Sequence, residues 1–199
     1  MICRPHIYSL VPEDLARLLT EHGEAYDMGD VRRVLAHRIN RKASDTRTPS
    51  PVARRTRKAV EALTDDRSLE VLERVTDPAD GFVKYLFRSH DGATFEAVRI
   101  PLHKEGRFSA CLSSQVGCAM KCAFCATGRL GLRRNLEAWE MVAQWVTIRD
   151  EAPGRLGGAV FMGQGEPLQN YDAVIQPARV LSEPCGGSIA AKANSISTV

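Results

Sequence analysis

FSACLSSQVGCAMKCAFC, residues 108–125, is the stretch on which the architecture turns. FSACLSSQ reads as a β-strand, and the residues after it pack three cysteines into a short loop. Next comes LEAWEMVAQWVTIRDEA (136–152), a helix that carries Leu136, Trp139, Val142, Ala143 and Val146 on one face. GGAVFMGQG (157–165) is a short apolar strand running into a glycine-rich turn. YDAVIQPARVLSE (171–183) is a second helix, which Pro177 is placed to kink, and NSISTV (194–199) is a third strand. The order β-α-β-α-β predicts parallel strands joined by crossover helices. A βαβ unit takes about 30 residues, so the 89 residues from Cys111 onward supply only about three strands. With two open edges, and with the chain ending inside a strand at Val199, the expectation is part of a larger α/β sheet or barrel.

The cysteines say what such a sheet carries. There are six, and Cys111, Cys118, Cys122 and Cys125 fall within fifteen residues, whereas Cys3 and Cys185 stand apart. A disulfide framework would spread them through a small secreted chain. The opening MICRPHIYSL has no long apolar run and no small-residue cleavage site, so no signal peptide is read and a cytoplasmic location is expected. Clustering then points to metal or redox chemistry. Cys118, Cys122 and Cys125 are spaced C-x3-C-x2-C, three thiolates too close together to enclose a tetrahedral metal alone. An iron–sulfur cluster with one iron left open satisfies that spacing. A zinc ion borrowing a distant fourth ligand is the alternative that spacing leaves standing. In parallel α/β folds ligands bind at the carboxyl ends of strands. Both the cysteine loop and Gly163-Gln164-Gly165-Glu166-Pro167 fall at that edge, where Glu166 can accept hydrogen bonds from an ammonium group.

The first part of the chain has a different texture. PEDLARLLTEHG and DVRRVLAHRINRK read as helices, SDTRTPSP as a turn-rich break, and VARRTRKAVEAL and SLEVLERV as further short helices. FVKYLFRS and ATFEAVRIPL flank His90-Asp91-Gly92 as a β-hairpin. This divides the chain into a helical, basic part (1–80), a hairpin linker (81–104) and an incomplete barrel (105–199). Net charge is only +3, yet residues 31–60 hold ten Lys/Arg against one acid, Asp45. That block suggests a polyanionic partner, and a solvated helix face is the equal alternative. With 44% hydrophobic and 26% charged residues the composition is that of a globular chain, and no apolar run reaches membrane-span length.

On these residues a resemblance appears. SSQVGC, FCATG, RNL and GEPLQNYD, with FEAVRIP upstream and PEDLARLLTEHGEAY more loosely, resemble the radical-SAM adenine-C2 methyltransferases of 23S rRNA, the RlmN/Cfr type. The resemblance spans nearly the whole chain but only a little over half of a family member. It implies a helical N-terminal domain and a hairpin leading into the first half of a partial (β/α) barrel. It implies a [4Fe–4S] cluster on Cys118, Cys122 and Cys125, with S-adenosylmethionine on the open iron. Gly165 and Glu166 would bind the methionine moiety and Ser197 another part of the cofactor. Cys111 would be the cysteine that resolves a protein–RNA adduct by forming a disulfide, and Glu96 a proton acceptor. Adenine C2 is an electron-poor sp2 carbon that a sulfonium cannot methylate directly, so the cofactor supplies a radical route and the protein positions it. The implied partners are 23S rRNA, tRNA as a second substrate and an electron donor such as flavodoxin, with the chain a monomer. The family's methyl-carrying cysteine lies in a C-terminal segment without a counterpart here. Cys185 in EPCGG does not match it, Cys3 is incidental, and these 199 residues alone are expected to be inactive. A non-catalytic RNA- or metal-binding module is the competing reading, against which the GEP turn and Cys111 argue.

Overall fold

The structure, a computed structural model, describes residues 4–46 and 51–199. Cys3, and Arg47 of the basic block, lie outside the described residues. Three helices come first. α1 (Pro12–Glu21) has proline in its opening turn followed by Glu13 and Asp14, which suit the positive end of a helix dipole. It ends in a Schellman motif, with the N–H of Glu24 donating to Leu19 O and that of Gly23 to Thr20 O. α2 (Met28–Leu35) is capped by Asp27 and runs into a single wide turn over Ala36–Asn40. α3 (Arg54–Leu63) has no cap of its own, and the buried Asp30 on α2 accepts from Ala53 N and the Thr56 hydroxyl instead. The hydrogen bond from Arg33 is the main cause that holds the Asp30 carboxyl below its ordinary pKa.

A six-stranded sheet follows them in the chain. β1 (Glu70–Thr76), β2 (Val83–Arg88), β3 (Thr94–Pro101) and β4 (Arg107–Cys111) form an antiparallel meander. β4 then pairs parallel with β7 (Arg155–Phe161), and β7 parallel with β8 (Asn194–Ile196). The helices α4 (Ala138–Glu151) and α5 (Tyr171–Ser182) make the two crossovers, so the predicted β-α-β-α-β order is the observed one. The hairpin is hydrogen-bonded directly onto β4 and extends the same sheet. A two-stranded ribbon, β5 (Gln115–Gly117) with β6 (Leu132–Asn135), stands beside it.

Two expectations are corrected. SLEVLERV is not a helix but the edge strand β1, paired with β2 across a bulge between Val71 and Glu73. Its side chains are almost all exposed, so apolar spacing had no core to answer to. The apolar spacing of 136–152 predicts one buried face, but α4 buries side chains all round, including Met141, Trp145 and Ile148. It lies between the sheet, α5 and the short turn Ile7–Ser9, which covers its outer side. That covering is clamped by His6. One ring nitrogen of His6 accepts from Tyr8 N, the other bonds to Arg67 O at 2.7 Å, and the ring stacks on Trp139 at 4.5 Å. Burial outweighs the other influences and lowers the His6 pKa. α5 runs unbroken through Pro177.

Candidate functional site

Cys111 is the last residue of β4 at the carboxyl edge of the parallel strands. Burial pushes its thiol pKa up, opposed by a hydrogen bond from the Met162 backbone. Past it, the chain reaches β5, whose ladder with β6 pins the base of the loop that holds Cys118, Cys122 and Cys125. Gly117 makes that closure possible. Its φ is +77°, and a Cβ there would lie 1.8 Å from Gly131 O, where Cys118 N donates at 3.0 Å. Cys118 is buried, and Cys122 and Cys125 are half-exposed. Cys125 N donates to Cys122 O, turning the loop back on itself. The Cys125 thiol is shifted toward thiolate by hydrogen bonds from Gly128 N, Thr127 N and the Thr127 hydroxyl. Among the described residues, no three His, Cys, Asp or Glu side chains converge closely enough to hold a metal ion. The donor set still suits a thiophilic iron–sulfur group: three soft thiols on one loop, one already receiving the N–H bonds that stabilise bound sulfur. All five described cysteines are free.

The glycine-rich turn is interlocked with this loop. Gly165 has φ +106°, and a Cβ there would come within 2.6–2.8 Å of Gln115, so only glycine admits the contact. Ser114 N and Gln115 N both donate to Gln164 O, and Gln164 N donates to the Ser113 hydroxyl. Ser113 in turn donates to Glu96 O at 2.5 Å, tying β3 into the same edge. The Gln115 amide accepts from Glu166 N at 2.8 Å and donates to Asn135 at 2.8 Å, joining the turn to the ribbon.

Glu166 is buried, with its carboxylate accepting from Leu168 N, the Thr198 hydroxyl at 2.7 Å and Val199 N. Burial alone would raise its pKa, but these three bonds outweigh that and lower it. Thr198 and Val199 therefore meet Glu166 directly, while the neighbouring Ser197 is exposed. Glu96 is half-exposed and paired with Lys84 at 3.0 Å. It lines a cavity of about 280 Å³ together with Gly117, Gly131, Arg133 and Gln164. Glu96, the flank of the cysteine loop and the glycine-rich turn thus open onto one space. Cys185 lies elsewhere, after α5, where burial raises its thiol pKa.

Sequence reasoning missed the residues that hold this edge in place. Gln144, fully buried in the middle of α4, pairs with the backbone of Ser113 as a strand would, accepting from its N–H at 2.9 Å and donating to its C=O at 3.1 Å. Asn170 donates to Ser114 O and Leu136 O, both at 2.8 Å. Arg134 donates to the fully buried Glu140 and to Asp91 of the hairpin turn, linking ribbon, helix and sheet. The one signal for them was a glutamine set between Ala143 and Trp145 in the long apolar helix.

No protein-family model matches the chain. Among curated proteins, a probable RNA methyltransferase of Sorangium cellulosum is 48% identical, over 90% of this chain and 46% of that protein. A probable dual-specificity RNA methyltransferase RlmN of Moorella thermoacetica is 37% identical, over 100% of this chain and 57% of its own length. The crystal structure of a radical SAM methyltransferase from Sphaerobacter thermophilus superposes with a TM-score of 0.82 at 33% identity, covering 98% of this chain and 57% of that one. The chain is a homologue of the RlmN-type radical SAM RNA methyltransferases. It spans about half the length of the curated relatives it matches. The mixed sheet of this RlmN homologue has the fold of its radical SAM neighbour. Among its described residues no helix is long and apolar enough to cross a membrane.

Proposed function

We propose that this RlmN homologue carries the cofactor-binding face of a radical-SAM methyltransferase that modifies C2 of adenine in 23S rRNA. The observation that carries the reading is the interlock of the cysteine loop with the Gly163–Pro167 turn through Gln115, at the edge where β4 delivers Cys111. Cys118, Cys122 and Cys125 would hold a [4Fe–4S] cluster, and Gly165, Glu166 and Ser197 would bind S-adenosylmethionine. Together these groups supply one-electron cleavage of the sulfonium, which gives access to a carbon that polar methyl transfer cannot reach. The protein contributes position. Gly165 lets the turn approach closely, and Glu166 presents an ionised carboxylate suited to an ammonium. Glu96 faces the shared cavity as a proton acceptor, and Lys84 keeps an opposite charge beside it. Cys111 stays a protonated, sheltered thiol until a disulfide has to form.

An RNA substrate is supported by the names of the relatives, the dual specificity in the Moorella protein's name supports more than one RNA substrate, and tRNA is the second one proposed. The exposed arginines of α3 provide a polyanion surface, and a flavodoxin would supply the electron. Anaerobic reconstitution of the chain with iron and sulfide tests the centre of this reading. The expected result is a brown protein with about four irons per chain, reduced to background in Cys122→Ala and Cys125→Ala. A colourless protein holding one zinc would overturn it.

A further inference from the structure

A second cleft lies at the opposite, amino-terminal edge of the sheet, where the wide turn after α2 meets the end of α4 and the start of β7. Its volume is about 480 Å³, and Lys42, Arg149, Arg155, Asn40 and Ser188 face it over a floor of Trp145 and Leu156. None of the described residues lining it is acidic. Lys42 is fixed by donating to Ala152 O at 3.2 Å and Gly154 O at 3.3 Å. Two carbonyls orient the ammonium without cancelling its charge, and they leave one N–H over. Arg149 is buried and largely committed, to Ile39 O, Arg41 O and Asp150. Its charge is the one partly answered, by Asp150 at 2.6 Å. Arg155 is exposed and has no hydrogen bond or ion pair from its guanidinium among the described residues.

A second observation points the same way. Arg155 stands directly across the parallel β4–β7 ladder from Arg107, which is also without an ion pair among the described residues. Like charges placed directly opposite in a sheet are destabilising, and a bound anion relieves them. Among the described residues, donors remain free around the space: the whole guanidinium of Arg155, the third N–H of Lys42, the second amide hydrogen of Asn40 beyond its bond to Pro184 O, and the Ser188 hydroxyl. A tetrahedral anion with several acceptor oxygens matches this set.

We infer that this cleft is a phosphate-binding site, separate from the chemistry at the carboxyl edge and bridging the helical segment to the sheet. Its occupant is a phosphate group, carried either by an RNA backbone or by a small polyphosphate. Isothermal titration of the chain with inorganic pyrophosphate, and separately with a single-stranded RNA dodecamer, tests this without any methyl-transfer assay. Saturable pyrophosphate binding is expected, weakened about tenfold or more in Arg155→Gln while the unfolding transition stays in place. Lys42→Gln should weaken it as well, and Lys42→Arg should restore it. If the dodecamer also loses affinity in Arg155→Gln, and its salt slope falls by about 0.7, the source is the RNA backbone. If only pyrophosphate is affected, the source is a small polyphosphate. No saturable pyrophosphate binding by the unsubstituted chain, or equal binding by Arg155→Gln, would overturn the inference.

Discussion

At the scale of single residues, the carboxyl edge depends on amide side chains that act as pieces of backbone. Gln144 satisfies both the N–H and the C=O of Ser113 inside a region closed to water. Gln144→Leu keeps the volume but leaves two buried backbone groups without partners. The expected cost is about 2–4 kcal/mol, read from chemical denaturation, with weaker iron uptake because the cysteine loop starts just beyond the Ser113–Gln115 anchor. A second residue-scale expectation concerns pH. The guanidinium of Arg134 beside Asp91 holds the Asp91 carboxyl well below the usual carboxylate range. A folded-state pKa below the unfolded one stabilises above the unfolded value, about 3.9, and that contribution is lost as pH falls toward the folded value. Stability should therefore decline below about pH 4 less steeply in Asp91→Asn than in the unsubstituted chain. The difference should be modest, because Asp91 is a third exposed and solvent screens the pair. Identical acid profiles by circular dichroism would refute this account of Asp91.

At the scale of elements, α4 and β1 both depart from their local patterns, for opposite reasons. α4 buries its predicted stripe, where Trp139 stacks on His6 beside the Ile7–Ser9 turn, and also Met141, Trp145 and Ile148, on the side where Trp145 donates to Gly158 O of β7. Ile148→Ala should cost about 2–5 kcal/mol, the value for a core position. A cost within about 0.5 kcal/mol, that of a surface site, would mean this side of α4 is open in solution. β1 shows the reverse. Leu69, Leu72 and Val75 sit at a spacing that a helix and a bulged strand can both use, and the open edge of β2 decides between them by offering backbone hydrogen bonds. Arg88 on Glu70 at 2.7 Å and Arg74 on Glu151 at 2.6 Å then hold the strand down.

At the scale of the whole molecule, the basic block divides. Arg33, Arg38 and Arg41 are drawn into ion pairs with Asp27 and Asp30, Asp66, and Asp45, and Lys42 into the carbonyls at the end of α4. Arg54, Arg55, Arg57 and Lys58 are exposed on α3, with no ion pair among the described residues. Those four carry the expected RNA contact. Replacing them with Gln should lower the slope of log affinity against log salt by up to about 3, at roughly 0.7 per phosphate contact on a single strand. An unchanged slope would move the RNA surface elsewhere. The parallel βαβαβ order, the hairpin, the cysteine loop and the glycine-rich turn were all legible in the sequence. Each is written in local terms: period, turn residues, or ligand spacing along a few positions. Which cations remain free, that α4 is buried all round, whether residues 70–76 become strand, and that Thr198 rather than Ser197 meets Glu166 were decided only by tertiary structure. Each of those depends on a partner distant in the chain, and no local pattern encodes the identity of a distant partner.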